Sequence, residues 1–123
     1  LDAVMVPVGG GGLLGGIACA IKAIRPEVRM IGVEAARVPS MMRAREMRSP
    51  VTVSAASTIA DGIAVRRAGD RTLPLVEKYV DEMVTVEEEE IAKAILLLLE
   101  REKTLAEGAG AAALAALLHH RVD

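Results

Sequence analysis

Residues 6–16 of this 123-residue chain read VPVGGGGLLGG, an apolar segment that runs directly into four consecutive glycines. Glycine loses more backbone entropy on folding than any other residue, so this run requires a structural reason. Ala3–Val8 is a continuous apolar run, typical of a strand covered on both faces of a parallel sheet. Leu13–Ile24 predicts a helix of small residues that ends before Pro26. The chain therefore needs a fold in which a glycine loop joins a buried strand to a helix.

The remaining segments predict an α/β fold. Val28–Glu34 predicts a second strand, and a strand–helix–strand unit implies parallel strands with a right-handed crossover. We expect one partial domain over residues 1–123, with an open, twisted parallel sheet of about three strands flanked by helices. The later elements are predicted as a helix from Ser40 to about Arg48, an irregular segment over Pro50–Gly69, a helix over Thr72–Tyr79, a strand over Glu82–Val86, a helix to about Lys103 and a helix over Gly108–His120.

The predicted helices carry three local patterns. Ser40 is a residue type that caps helix N-termini. Thr85 and Glu88 have the spacing of a capping box at the start of the next helix. The stretch Ile91–Leu99 is apolar on nearly every helical face, which predicts deep packing.

Composition excludes several classes of function. The net charge is −2, lysine and arginine are dispersed, and Tyr79 is the one aromatic residue, so a nucleic-acid-binding surface is not expected. No apolar run reaches the roughly 20 residues of a membrane span. Cys19 is alone and no signal peptide is present, which predicts a cytoplasmic protein. The chain begins at Leu1 without an initiator methionine, and we expect it to be a piece of a larger protein.

The glycine run has the properties of an anion site. The first backbone N–H groups of a helix have no acceptor inside that helix. The helix dipole stabilises a negative group there by about 0.3–1 kcal/mol. Glycines allow several amides to converge on one anion without Cβ collisions. We therefore predict that a phosphate binds at the start of this helix.

The spacing of the glycines leaves the identity of the phosphate open. Gly10, Gly12 and Gly15 fit G-x-G-x-x-G, and Glu34 follows about 20 residues later, as in dinucleotide-binding folds. A nucleotide-binding module without catalytic activity is one alternative on this basis. A Walker A loop is excluded, because no Gly-Lys-Ser/Thr follows.

Three segments carry a resemblance to a known family. VPVGGGGLLGGIACAIKAIRPEVRMIGVEA, STIADGIAV and TLAEGAGAAALAALL resemble segments of threonine dehydratase (threonine ammonia-lyase), a fold type II pyridoxal-phosphate enzyme related to serine racemase. The resemblance covers essentially all 123 residues. It implies the later part of a tryptophan-synthase-β-like large domain, and an intact homo-oligomeric enzyme. That enzyme would convert L-threonine or L-serine to a 2-oxo acid and ammonia, in isoleucine biosynthesis or threonine catabolism.

The resemblance also implies roles for individual residues. Gly9, Gly10, Gly11 and Gly12, with the amide of Leu13, would hold the phosphate of pyridoxal 5'-phosphate. Gly62 and Glu107 match positions that line the coenzyme ring pocket in the family.

Glu34 matches an acid that helps to bind a divalent cation in the racemase-like relatives. The second carboxylate of those relatives corresponds to Ser40 here, so we expect Glu34 to be an ordinary solvated acid at a strand end, with a cation ligand as the alternative.

No catalytic residue is assigned within the chain. The family attaches the cofactor to a lysine in a Ser-x-Lys context, before the glycine loop. The four lysines here, Lys22, Lys78, Lys93 and Lys103, lack that context and fit solvated helical faces. We therefore expect the chain alone to be inactive.

Overall fold

The computed structural model describes residues 1–122, which form a three-stranded parallel sheet covered by helices on both faces. The elements are β1 (Ala3–Pro7), α1 (Gly12–Ile24), β2 (Arg29–Ala35), α2 (Ser40–Met47), a 3₁₀ turn (Asp61–Ile63), α3 (Leu73–Tyr79), β3 (Glu82–Val86), α4 (Glu88–Glu102) and α5 (Gly108–Leu118). The expected α/β architecture with an open parallel sheet is confirmed. No helix within the described residues is long and apolar enough to cross a membrane.

The sheet has the order β1–β2–β3, and both strand pairs are parallel. Ala3 pairs with Arg29 and Pro7 with Val33, while Ile31 pairs with Glu82 on the other side of β2. Because the strands are parallel, their carboxyl ends lie at one edge, where the chain enters the glycine run. Open α/β sheets bind their ligands at this edge.

Two aliphatic cores lie on opposite faces of the sheet, and alternate residues of β2 contribute to each. One core includes Met30, together with Leu14 of α1 and Val76 of α3. The other includes Ile31, with Ile91 of α4 among its members. Both faces of β2 are therefore buried, which explains its nearly continuous apolar sequence.

The N-terminus of α4 differs from the sequence prediction. The capping box uses Glu87 and Glu90 rather than Thr85 and Glu88. Strand β3 continues through Val86, so Thr85 lies within the sheet and cannot cap the helix. This shift releases the Glu88 side chain for a contact outside its own helix.

The packing of α4 is also less complete than its composition predicts. Ile91 and Ala94 are fully buried against the sheet, but Leu96 and Leu99 are exposed by 55% and 44%. The helix therefore has one buried face, and the prediction of deep packing on nearly every face is wrong.

Candidate functional site

The glycine run forms one wall of a cleft with a volume of about 360 Å³. Parts of the 3₁₀ turn and the first turn of α5 form the opposite wall. The residues that the sequence singled out for the cofactor all line this cleft, and they are Gly9, Gly10, Gly11, Gly12, Leu13, Gly62 and Glu107. Segments far apart in sequence thus meet at the carboxyl edge of the sheet.

The amides at the start of α1 are available to a ligand. The helix begins at Gly12, one residue earlier than predicted, and its first bond to the cap runs from the amide of Gly15 to the carbonyl of Gly11 at 2.9 Å. Within residues 1–122 the amides of Gly9–Leu13 have no hydrogen-bond acceptor. Amides without acceptors beside a cleft are the groups that an anion would engage.

The glycines of the run are required for different reasons. Gly11 has φ +89°, and a Cβ on it would lie 2.3 Å from Cε of Met41. A Cβ on Gly9 would lie 2.9 Å from Cγ2 of Val65. A Cβ on Gly12 would have no atom within 4 Å, so packing does not explain glycine at that position. An added methyl group there would instead occupy open space beside the unpaired amides.

The opposite wall is held together by one close backbone approach and two hydrogen bonds. A Cβ on Gly108 would lie 2.2 Å from the carbonyl oxygen of Ile59, so glycine allows α5 to begin against this segment. The Glu88 carboxylate accepts hydrogen bonds from the Thr58 hydroxyl at 2.6 Å and the Ile59 amide at 2.9 Å. Sequence patterns assigned Glu88 to a capping box and missed this role. The two partners are 30 residues apart, and no spacing pattern in the sequence indicated the contact.

Glu34 is buried rather than solvated, so that prediction is wrong. Its side chain is fully buried at the end of β2. Its two carboxylate oxygens accept hydrogen bonds from the amides of Met41 at 2.7 Å and Met42 at 2.9 Å, in the first turn of α2. Burial raises the pKa of Glu34 to about 7, against the two amide hydrogen bonds, which lower it.

Ser40 does not cap α2 through its side chain. The cap residue is Pro39, and the Ser40 hydroxyl donates instead to the carbonyl of Val65 at 2.6 Å. Glu34 takes the capping role from a neighbouring strand. The cation role of Glu34 stays a prediction. Within residues 1–122 no group of three or more His, Cys, Asp or Glu side chains could hold a metal ion.

The four lysines lie away from the cleft. All are among the described residues, and none lines it. Lys78, Lys93 and Lys103 are exposed, as predicted. Lys22 differs, because its side chain is only 16% exposed and pairs with Asp81 at 2.8 Å.

These features define an α/β protein with a cleft at the carboxyl edge of a parallel sheet, lined by backbone amides that have no acceptor within residues 1–122. A family model described as pyridoxal-phosphate dependent enzyme matches residues 1–123. The chain belongs to this family.

Known proteins similar to the chain include threonine ammonia-lyases and a serine racemase. The chain is 54% identical over 119 residues to L-threonine ammonia-lyase of Thermotoga maritima, covering 97% of the chain and 30% of that relative. The crystal structure of a threonine deaminase from T.th. has a TM-score of 0.93 at 40% identity, covering 97% of the chain and 44% of that structure. The crystal structure of serine racemase from Dictyostelium discoideum has a TM-score of 0.89 at 33% identity, covering 98% of the chain and 38% of that structure.

The chain thus spans less than half the length of the proteins it matches. These structural neighbours are fold type II enzymes. The resemblance to threonine dehydratase and serine racemase that the sequence segments indicated is confirmed.

Proposed function

We propose that this chain is the phosphate-binding part of a pyridoxal-phosphate-dependent ammonia-lyase that acts on L-threonine or L-serine. The observation that carries this proposal is the set of unpaired amides at Gly9–Leu13, beside a Gly12 that packing does not explain. A phosphate dianion would accept hydrogen bonds from several of these amides. The N-terminus of α1 would stabilise its charge.

The cleft has a volume of about 360 Å³, within the range of small-molecule sites. Gly9, Gly10, Gly11, Gly12 and Leu13 would hold the phosphate, while Gly62 and Glu107 would border the ring. A Cβ on Gly62 would lie 3.1 Å from Cβ of Ala109, so a side chain there would crowd this wall.

When bound in such a site, pyridoxal phosphate supplies an electron sink that makes loss of the substrate α-proton and β-hydroxyl feasible. The chain's own part is to bind and orient the cofactor. The four lysines lie outside the cleft, so no basic amine of these residues is placed to move the α-proton. We infer that the 123 residues alone do not turn over threonine, and that the lysine belongs to a part of the enzyme outside them.

The geometry favours a lyase over a cation-dependent racemase. Both oxygens of Glu34 are already engaged by α2, and Ser40 donates its hydroxyl to Val65. The same contacts weigh against the dinucleotide alternative. A ribose-binding acid must present its carboxylate to the ligand, whereas Glu34 is fully buried.

The test uses pyridoxine 5'-phosphate, which lacks the aldehyde and so does not react with surface lysines. Titration of the isotope-labelled chain should shift the amide resonances of Gly9–Leu13, while unphosphorylated pyridoxine should leave them unchanged. Stronger binding of NAD than of pyridoxine 5'-phosphate at these amides would contradict the proposal. Incubation of the chain with pyridoxal phosphate and L-threonine should release no 2-oxobutanoate, and appreciable release would overturn the inferred inactivity.

A further inference from the structure

Thr72 contacts the glycine run from behind the cleft. It precedes α3, is half-buried, and does not line the cleft itself. Its hydroxyl donates to the carbonyl oxygen of Gly10, across 62 residues of sequence. The amide of Gly69 donates to the same oxygen at 3.2 Å. Two donors from one short turn therefore fix a single carbonyl of the glycine run.

The hydroxyl of Thr72 has one hydrogen and a choice of two acceptors. The carbonyl oxygen of Gly69 lies at 3.2 Å, farther than that of Gly10. The shorter contact to Gly10 is the favoured one, because hydrogen bonds weaken as the distance grows. The turn at Gly69 is also closed on itself, since the Thr72 amide donates to the Gly69 carbonyl at 3.2 Å.

Fixing this carbonyl determines where the next amide points. In a planar trans peptide, the C=O of Gly10 and the N–H of Gly11 point in opposite directions. The carbonyl is held toward Thr72, so the Gly11 amide is turned away from Thr72. Gly10 and Gly11 both line the cleft and Thr72 does not, so we infer that the Gly11 amide faces the cleft.

The packing of Gly11 is consistent with this orientation. A Cβ on Gly11 would lie 2.9 Å from Oγ1 of Thr72, so the backbone is closer to this hydroxyl than a residue with a side chain would allow. Four consecutive glycines have wide conformational freedom, and ordering them when a ligand binds would reduce affinity. A contact that orders them beforehand removes part of that cost.

We propose that Thr72 is a positioning residue that holds the amides of the glycine run toward the cleft before the ligand arrives. This inference depends on the proposed phosphate site. It assigns no contact between Thr72 and the ligand. Its effect passes through the peptide between Gly10 and Gly11.

The test compares Thr72→Val, which keeps the shape but removes the donor, with Thr72→Ser, which restores it. Affinity for pyridoxine 5'-phosphate should fall about tenfold in Thr72→Val. It should return to within about twofold of the original chain in Thr72→Ser. Thr104→Val is the matched control, because Thr104 also donates its hydroxyl to a carbonyl but is exposed and lies outside the cleft.

Each outcome separates the two proposals. If the original chain binds and Thr72→Val binds equally well, or if Thr72→Ser is as weak as Thr72→Val, the positioning role is overturned and the phosphate site stands. If the original chain does not bind through Gly9–Leu13, the phosphate site itself fails and the positioning role fails with it. Urea unfolding checks each variant, and Thr72→Ala replaces Thr72→Val in the same comparison if the latter does not fold.

Discussion

The buried carboxylate of Glu34 accepts a hydrogen bond from the backbone amide of Met41 at 2.7 Å. This bond joins the end of β2 to the start of α2. A helix N-terminus is normally capped by a side chain of the preceding residue. Here the preceding residue is Pro39, and the cap comes from a strand instead. Met41 also lies under Gly11, so this cap supports the segment on which the glycine run rests.

Glu34→Gln should destabilise the chain. A glutamine side chain has one accepting oxygen, so one of the two amides in the first turn of α2 loses its partner. The expected loss in free energy of unfolding is about 1–3 kcal/mol, measured by urea denaturation at about pH 5, below the raised pKa of Glu34. Glu46→Gln is the control on the same helix. Its exposed pairing with Arg43 should be worth less than about 1 kcal/mol.

The same residue should give stability a characteristic pH dependence. Burial raises the pKa of Glu34 to about 7, above its ordinary value of 4.5, so the folded state binds this proton more tightly than the unfolded state. The contribution is fully present below pH 4.5 and is lost as the pH rises through about 7. The free energy of unfolding, measured with urea, should fall by up to about 3 kcal/mol between about pH 5 and 8. Glu34→Gln should remove this fall. Identical slopes in both proteins would contradict this assignment.

Gly11→Ala should disrupt the fold of the glycine run. The substitution forces a side chain into φ +89° and places its Cβ 2.3 Å from Cε of Met41. We expect a loss of at least about 1–3 kcal/mol in the free energy of unfolding. Gly16→Ala is the control, because a Cβ there has no atom within 4 Å and the residue is helical. It should stabilise the chain by about 0.5–1 kcal/mol.

Glu88→Ala should make residues 57–62, which form part of one wall of the cleft, less firmly held. The Ile59 amide donates to the Glu88 carboxylate, so its hydrogen exchange should accelerate by about tenfold or more when that acceptor is removed. Glu89→Ala, at the exposed neighbouring position, should leave exchange at Ile59 unchanged. Equal exchange at Ile59 in the two variants would show that Glu88 does not hold this segment.

Local sequence patterns were sufficient for the sheet, the helices and the glycine run. The apolar runs of β1 and β2 reflect burial on both faces, and the amides of Gly9–Leu13 follow from the start of a helix. Boundaries shifted by one or two residues. The last helix ends at Leu118 rather than His120.

The contacts that the sequence did not predict join distant segments. Glu88 contacts Thr58 across 30 residues, and Thr72 contacts Gly10 across 62. Glu34 was expected in solvent because a strand end is often exposed. In the structure the first turn of α2 lies against it, with two amides donating to its carboxylate. Such contacts are set by tertiary packing, which spacing along the chain does not encode.

If the glycine run binds the phosphate of the cofactor, Gly12→Ala should weaken that binding without weakening the fold. The added methyl group meets no protein atom within 4 Å, so the free energy of unfolding should be unchanged or slightly higher. Affinity for pyridoxine 5'-phosphate, measured by isothermal titration calorimetry, should fall at least tenfold relative to Gly16→Ala and the original chain. Equal affinity in all three proteins would contradict the claim.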